Sequence, residues 1–538
     1  MNVIVDNAGL AVMTTLRNYG VDTIFGIPGT HNLEFYRHLE ALRIRPVTSR
    51  HEQGAGYAAD GWSQQTGLPG VVITTSGPGL LNALSAAATA YCESRPMILL
   101  SPGPALGDEF ADRGSLHETK STIDAAGAVV EWSRRVTSAT EAVNAVHDAF
   151  ELFRTGRPRP VYIEIPLDVL EGFSDIAPDL LRARPRPRPT SADPAAVATA
   201  AAALAESSST MILAGGGSVG AASSVRRLAE TLAAPVVTTM NGKAALPESH
   251  PLSLGSDIRL PATQEACSTA DVLIVIGSKV GEAELWGGTV APTGTVIRID
   301  VLASQMSKNL TADIQLVGHS EAVVDQLLEA LTEVRATTID VSAVRTAKEA
   351  QARAHAPGLV ALAEAVAAGL PSDAIVSGDS SQICYFGTSS FIPQDRPRSF
   401  LYMAAYATLG YGLPAAIGAK IASPDRTVAC VAGDGALMFA IQELATAAEQ
   451  RLDLVIVCAD NGGYAEIQQN EADRGIPPVG VQLHQPAWAA LADAFGGHGV
   501  RVAKADEVTD AVAAAVAAGG VQLVHVPLSI YAERAIDE

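Results

Sequence analysis

Two short apolar runs, each closed by a glycine turn, most constrain what this chain can fold into: TVACVAGDGALMFAIQEL and LDLVIVCADNGGYAEI. Both are built of β-branched and small apolar residues without polar alternation, the pattern of a strand buried on both faces of a parallel sheet. Each passes through its glycines into a helical pattern, which places Asp434 and Asn461, 27 residues apart, at strand ends. Gly-Asp-Gly at such a point lets the backbone approach a diphosphate, while the carboxylate holds a hard divalent cation such as Mg²⁺ against it. Asn461 and the carbonyl of Gly463 supply neutral oxygens of the kind Mg²⁺ accepts. A lone Gly-Asp-Gly is common in α/β proteins; the second Asn-Gly-Gly turn makes the pair specific.

The same rhythm extends along the chain. GVVITTSG, RPMILLSPG and RPVYIEIP read as strands between helical stretches, the signature of a doubly wound parallel sheet. LRARPRPRPTSADP interrupts it, because repeated prolines enter neither a helix interior nor a central strand. TMILAGGGSVG, PVVTTMNG, DVLIVIGS and GTVIRID give the strands of a second unit, ending in the helix EAVVDQLLEALTEV. The polar stretch VRATTIDVSAVRTAKEAQARAHAPG reads as a linker helix into a third unit with AIVSGDSS, the two opening runs and VQLVHVPL. The expected units are residues 1–173, 190–335 and 358–538, in keeping with about three domains for 538 residues.

A net charge of −21, with no basic run beyond the proline-rich stretch, argues against a nucleic-acid partner. No uninterrupted apolar segment reaches membrane-span length, and MNVIVDNAGL lacks a basic region followed by an apolar one. Cys92, Cys267, Cys384, Cys430 and Cys458 form no CxxC pair and read as core thiols of a cytoplasmic protein.

Several further motifs stand in order: VDTIFGIPGTHNLEFY, TSRHEQGAGYAADGWSQQTG, VVITTSGPGLLNAL, MNGKAALPESHPLSLG and ATLGYGLPAAIGAK. With the two opening runs they make the whole chain resemble the thiamine-diphosphate-dependent acetohydroxyacid synthase and 2-oxo-acid decarboxylase superfamily. The resemblance implies an α/β architecture of three doubly wound parallel-sheet domains: pyrimidine-binding, central Rossmann-like and diphosphate-binding. It implies thiamine diphosphate and Mg²⁺ as cofactors, with Asp434, Asn461 and Gly463 as metal ligands. It sets Gly433, Gly435, Ala436, Tyr464, Ser380, Ser381 and Gln382 around the diphosphate, and Ser76, Gly77, Pro78, Gly79 and Asn82 near the pyrimidine. Glu52 matches the glutamate that polarises pyrimidine N1′, and a carboxylate in that role must be partly buried. Leu409 stands where the family props the bent cofactor, and the Ala407 carbonyl is expected to accept from the 4′-amino group. In this family the glutamate acts on cofactor held by the other subunit, so a homodimer is the smallest active unit and a homotetramer is usual.

ILAGGGSVG resembles a dinucleotide fingerprint. Acetohydroxyacid synthases hold FAD in that domain through an Arg-Phe-Asp-Asp-Arg stretch; SKVGEAELWGG in its place argues against FAD here.

The reaction is less sharply marked. Thr30 stands where pyruvate-type decarboxylases carry Asp, benzoylformate decarboxylases Ser and acetohydroxyacid synthases Gly, and Leu116-His117-Glu118 replaces the synthases' Phe-Gln-Glu. Thr30, His31 and His117 are therefore the expected substrate-side catalytic residues, with Glu118, Tyr464, Glu466 and Gln469 completing a polar, acid-bearing pocket. Together these motifs look most like the 2-ketoarginine decarboxylase branch, and the expected reaction is non-oxidative decarboxylation of a polar or cationic 2-oxo acid. The alternatives are an acetolactate synthase-like carboligase and a silent homologue; retention of Glu52, Asp434 and Asn461 argues against silence.

Overall fold

Three separate sheets carry the strands, and within each sheet all neighbouring strands run parallel. The computed structural model describes residues 6–332 and 337–535. The expected domain limits at 1, 335 and 538 lie outside the described residues, as does the end of the helix expected over 321–334, which spans Ser320–Ala330.

The first sheet holds β1 (Thr23–Gly26), β2 (Arg45–Thr48), β3 (Gly70–Ile73), β4 (Met97–Gly103), β5 (Trp132–Arg135) and β6 (Val161–Pro166), in the order β2-β1-β3-β4-β6-β5. The second holds β7 (Thr210–Ala214), β8 (Val236–Thr238), β9 (Val272–Ile276), β10 (Thr295–Asp300) and β11 (Ile314–Val317), in the order β11-β10-β9-β7-β8. The third holds β12 (Ile375–Gly378), β13 (Phe400–Leu401), β14 (Val428–Gly433), β15 (Leu454–Asp460), β16 (His498–Arg501) and β17 (Val521–Pro527), in the order β13-β12-β14-β15-β17-β16. The apolar runs legible in the sequence are almost all central strands, buried throughout. The strands without such a run, β2, β5, β11, β13 and β16, all lie at sheet edges.

The first and third sheets follow the same path, so equivalent strand ends recur in both. The helices after their second strands, Glu52–Thr66 and Gly412–Ala422, pack on one another at backbone distance. A Cβ on Gly418 would stand 1.8 Å from the Ala58 carbonyl oxygen, and one on Gly61 would stand 2.0 Å from that of Ala415. Glycine costs helix stability, so its use here is explained by the close approach. Tyr57 and Ala86 of the first unit join the same apolar cluster as Ile375, Tyr411 and Leu437 of the third, so the two units share a core.

The proline-rich segment is neither helix nor strand over 183–193. The polar helix Val341–His355 is not a free linker. Lys348 is buried and pairs with Asp257 of the central unit at 2.7 Å, and Arg345 donates to the Pro251 and Ser253 carbonyls. Among the described residues no helix is long and apolar enough to cross a membrane.

Candidate active site

Neighbouring parallel strands β12, β14 and β15 bring their C-terminal ends to one edge of the third sheet, where open α/β sheets bind ligands. β14 ends at Gly433 and opens a single helical turn, Asp434–Leu437, in which Gly435 and Ala436 are buried. A Cβ on Gly433 would press on Ser381 at 2.9 Å, and one on Gly435 would meet the Tyr464 ring at 2.9 Å. The glycines are therefore required by the convergence itself. Ser380, Ser381 and Gln382 follow β12, while Asn461, Gly462 and Gly463 turn the chain after β15, with φ of +84° and +151° at the two glycines.

Asp434 is 1% exposed and one of its carboxylate oxygens, Oδ2, has no hydrogen-bond partner. Burial pushes its pKa up to about 6; Asp460 adds to this and the Asn461 N–H opposes it. One terminal atom of the Asn461 side-chain amide lies 3.1 Å from Asp434 Oδ1 and 2.9 Å from the Gly463 carbonyl oxygen. With nitrogen in that position, as the two surrounding acceptors favour, the amide donates to both oxygens and satisfies them, while Asp434 Oδ2 stays unpartnered. A hard cation is the partner that would complete Asp434 Oδ2, with the amide turned to offer its oxygen, and it would also keep the buried carboxylate ionised. The residues present fit a divalent metal.

On the first unit, Glu52 opens the helix Glu52–Thr66 and is 8% exposed; Asn82 Nδ2 donates to its Oε2 at 3.0 Å. Gly79 passes over the same carboxylate, since a Cβ there would lie 3.2 Å from Glu52 Oε1. Glu443 of the third unit caps this helix by accepting from the backbone N–H groups of Arg50 (3.0 Å) and His51 (3.1 Å). His31 Nδ1 stands 2.6 Å from Ser76 Oγ, and His117 Nδ1 stands 3.5 Å from the same oxygen. The two rings meet edge-on with centroids 5.3 Å apart. Gly77, with φ +62°, lets the chain pass the His117 carbonyl, which a Cβ would approach to 2.4 Å. Burial, and then the neighbouring His117, lower the His31 pKa; Glu171 opposes them.

Ala407 and Leu409 lie on an exposed loop before the helix Gly412–Ala422, and Ala407 adopts the left-handed conformation with φ +51°. Gln53, the neighbour of Glu52, reaches the Leu409 carbonyl at 3.5 Å. Asp379 anchors the loop's far end by accepting from the Gly412 N–H at 2.7 Å and the Gly410 N–H at 3.1 Å. It is 1% exposed, and burial raises its pKa to about 6 against these backbone donors. Asp379 and Glu443 escaped the sequence reading; the Gly-Asp after β12, like that after β14, was the available signal for the first.

Other expected pocket residues are placed differently. Thr30 is exposed at the start of a short 3-10 turn. The Glu118 carboxylate folds onto its own loop, accepting from the N–H groups of Arg113, Gly114 and Ser115, so it does not face His117's partner Ser76. Gln469 donates along its helix to Asp473 at 2.7 Å. Glu466 turns inward and accepts from Gln382 Nε2 at 3.0 Å. No hydrogen bond among the described residues joins the Glu52 group to the Asp434 group of the same chain.

Three protein-family models match the chain in order, all described as thiamine pyrophosphate enzyme: the N-terminal TPP binding domain over residues 6–126, the central domain over 197–327 and the C-terminal TPP binding domain over 384–526. The chain is 36% identical over 501 residues to a probable 2-ketoarginine decarboxylase of Pseudomonas aeruginosa, covering 91% of this chain and 88% of that protein. It is 32% identical over 535 residues to a probable acetolactate synthase large subunit of Methanocaldococcus jannaschii, covering 93% and 88%. It is 30% identical over 523 residues to the acetolactate synthase isozyme 3 large subunit of Escherichia coli, covering 92% and 90%.

Proposed function

The chain belongs to the thiamine pyrophosphate enzymes, and on that premise we propose that it decarboxylates a polar or cationic 2-oxo acid without oxidation, releasing the aldehyde and CO₂. Thiamine diphosphate, when bound, supplies the electron sink for cleaving the bond between the carboxylate and the 2-oxo carbon. Asp434, Asn461 and the Gly463 carbonyl would hold Mg²⁺; Ser380, Ser381, Gln382 and the turn Gly433–Ala436 would line the diphosphate. Glu52 would hold a proton at pyrimidine N1′, Leu409 would prop the cofactor and the Ala407 carbonyl would accept from its amino group. His31 and His117, sharing Ser76, are the groups able to exchange protons with substrate. The active unit is a homodimer, or a homotetramer built as a dimer of dimers, in which Glu52 of one subunit serves cofactor held by the other.

The observation that carries the substrate reading is the inward Glu466, paired with neutral Gln382 and near buried Tyr385. A neutral partner leaves carboxylate charge for a cationic tail, and a charge-assisted pair is worth a few kcal/mol when desolvated, about 1.5–3 kcal/mol by mutational series. An apolar 2-oxo acid would leave that acid without a countercharge, which discriminates more strongly than lost contact area. The similarity to a probable 2-ketoarginine decarboxylase supports the same reading.

The similarity to acetolactate synthases favours a second reading, a carboligase joining two 2-oxo acids. A panel of 2-oxo acids with products identified by mass separates the two. Faster turnover of 2-ketoarginine and its relatives than of pyruvate, with free aldehyde as product, is expected. Acetolactate from pyruvate as the dominant product would replace the first reading with the second.

A further inference from the structure

The Ala407 carbonyl and Leu409 would meet the cofactor, yet Ala405, Tyr406 and Ala407 are exposed and have little packing of their own to hold them. Ala407 is also left-handed, a conformation that a non-glycine residue keeps only when its surroundings impose it. What imposes it lies outside the pocket. Glu93, the last residue of the helix Pro78–Glu93, accepts through Oε1 from the Ala405 N–H at 2.7 Å and the Tyr406 N–H at 3.3 Å. Its other oxygen accepts from Asn241 Nδ2 of the central unit. Arg95, buried, donates to Asn241 Oδ1 at 2.8 Å, to the Tyr402 carbonyl, to Asp60 at 2.6 Å and to the Tyr411 hydroxyl at 3.0 Å. Tyr411 donates on to Asp60 at 2.7 Å. Burial alone would lower the Arg95 pKa; the Asp60 carboxylate, then Tyr411 and Glu93, more than offset it, so the guanidinium stays charged.

We propose that Glu93, Arg95 and Asn241 form a positioning clamp in which the first and central units together set the Ala407 carbonyl and the pyrimidine end of the cofactor pocket. The inference rests on the cofactor reading above. Glu93 is a buried carboxylate whose donors come from the loop and from Asn241, so displacing the loop strips it of two charge-assisted partners. Each such bond biases the loop toward its held position by about tenfold or more. Asn241 is bidentate, donating to Glu93 and accepting from Arg95, and so fixes where the carboxylate sits. Asp379 does the equivalent at Gly410 and Gly412, which leaves Ala407 suspended between two anchors.

The test uses thiamine diphosphate with Mg²⁺ and no 2-oxo acid, so it does not depend on which substrate is correct. Wild type, Glu93→Ala, Asn241→Leu and the conservative Glu93→Gln are compared by cofactor dissociation constant and by near-ultraviolet circular dichroism of the bound pyrimidine. Glu93→Ala and Asn241→Leu are expected to weaken cofactor binding about tenfold and to diminish the pyrimidine signal at saturation, with Glu93→Gln weakened less than either, because its amide oxygen can still accept from Ala405 and Tyr406 although its NH2 then faces Asn241 Nδ2. If Glu93→Ala does not fold, Asn241→Ala takes its place. Variants that lose only thermal stability, with dissociation constant and dichroism unchanged, overturn the clamp while leaving the cofactor reading intact. A wild-type chain that does not bind thiamine diphosphate overturns both.

Discussion

A buried carboxylate with one oxygen unpartnered, as at Asp434, is costly unless a cation completes it. Asp434→Ala is therefore expected to abolish Mg²⁺ and thiamine diphosphate affinity together, and exhaustive chelation of wild type should reproduce the loss. Activity that survives chelation would remove the metal from the site. His31 gives a pH prediction of definite sign. Its folded pKa lies below the usual 6.5, so the ring is neutral at pH 7, and the unfolded chain takes up the proton first as pH falls. The stability contributed by the neutral ring is present above pH 6.5 and lost as pH drops through that value toward the folded pKa. The acid limb of kcat/KM should accordingly have its midpoint below 6.5, and His31→Asn should lower kcat/KM by roughly a hundredfold or more. A limb centred above 6.5 in wild type would exclude His31 as its source. Side-chain direction was the part of the site least legible at this scale. Glu118 and Glu466 read alike in the sequence, but only the second has a neighbour across the pocket, Gln382, to turn it inward.

The helix pair Glu52–Thr66 and Gly412–Ala422 couples fold to site, because its first residue is Glu52 itself. Gly418→Ala tests the coupling. Helix propensity favours alanine by about 1 kcal/mol, but the new methyl would lie 1.8 Å from the Ala58 carbonyl oxygen, a backbone atom that no rotamer change can move aside. Overpacking of this kind costs about 1–3 kcal/mol or more, so the clash wins. The thermal midpoint should fall and activity should fall with it, whereas an unchanged midpoint would show that the helices do not meet there. Strand legibility divides at the same level. β9 and β14 are buried along their whole length and announce themselves as continuous apolar runs. Edge strands β5 and β16 are half solvated, keep polar residues such as Arg134 and His498, and give no periodic signal until pairing with β6 and β17 defines them.

In the whole molecule, the first and third sheets repeat one topology, and each places half of the proposed chemistry at corresponding strand ends: His31 and Ser76 after β1 and β3, Ser381 and Asp434 after β12 and β14. The two halves of one chain share no hydrogen bond between Glu52 and the Asp434 group among the described residues. If complete sites form between subunits, two inactive variants should rescue each other. Glu52→Gln alone should lose about two or more orders of magnitude in rate while keeping cofactor. Mixed and reassembled with Asp434→Ala, it should recover roughly a quarter of wild-type activity, because half the dimers are then hybrids and each hybrid has one intact site. No recovery in verified hybrids would place Glu52 and Asp434 in the same chain's site.

The sequence by itself determined the buried central strands, the glycine turns at their ends and, through Gly-Asp-Gly and Asn-Gly-Gly, a cation-and-diphosphate chemistry, because each of these is written in consecutive residues. Tertiary structure alone decided which carboxylates hold backbone. Glu443 caps a helix nearly 400 residues away, Asp379 anchors Gly410 and Gly412, and Glu93 holds Ala405, all through partners that no local pattern specifies. A carboxylate's worth depends on the donors that folding brings to it and the water that folding removes, and both are properties of the assembled molecule rather than of the segment that carries the residue.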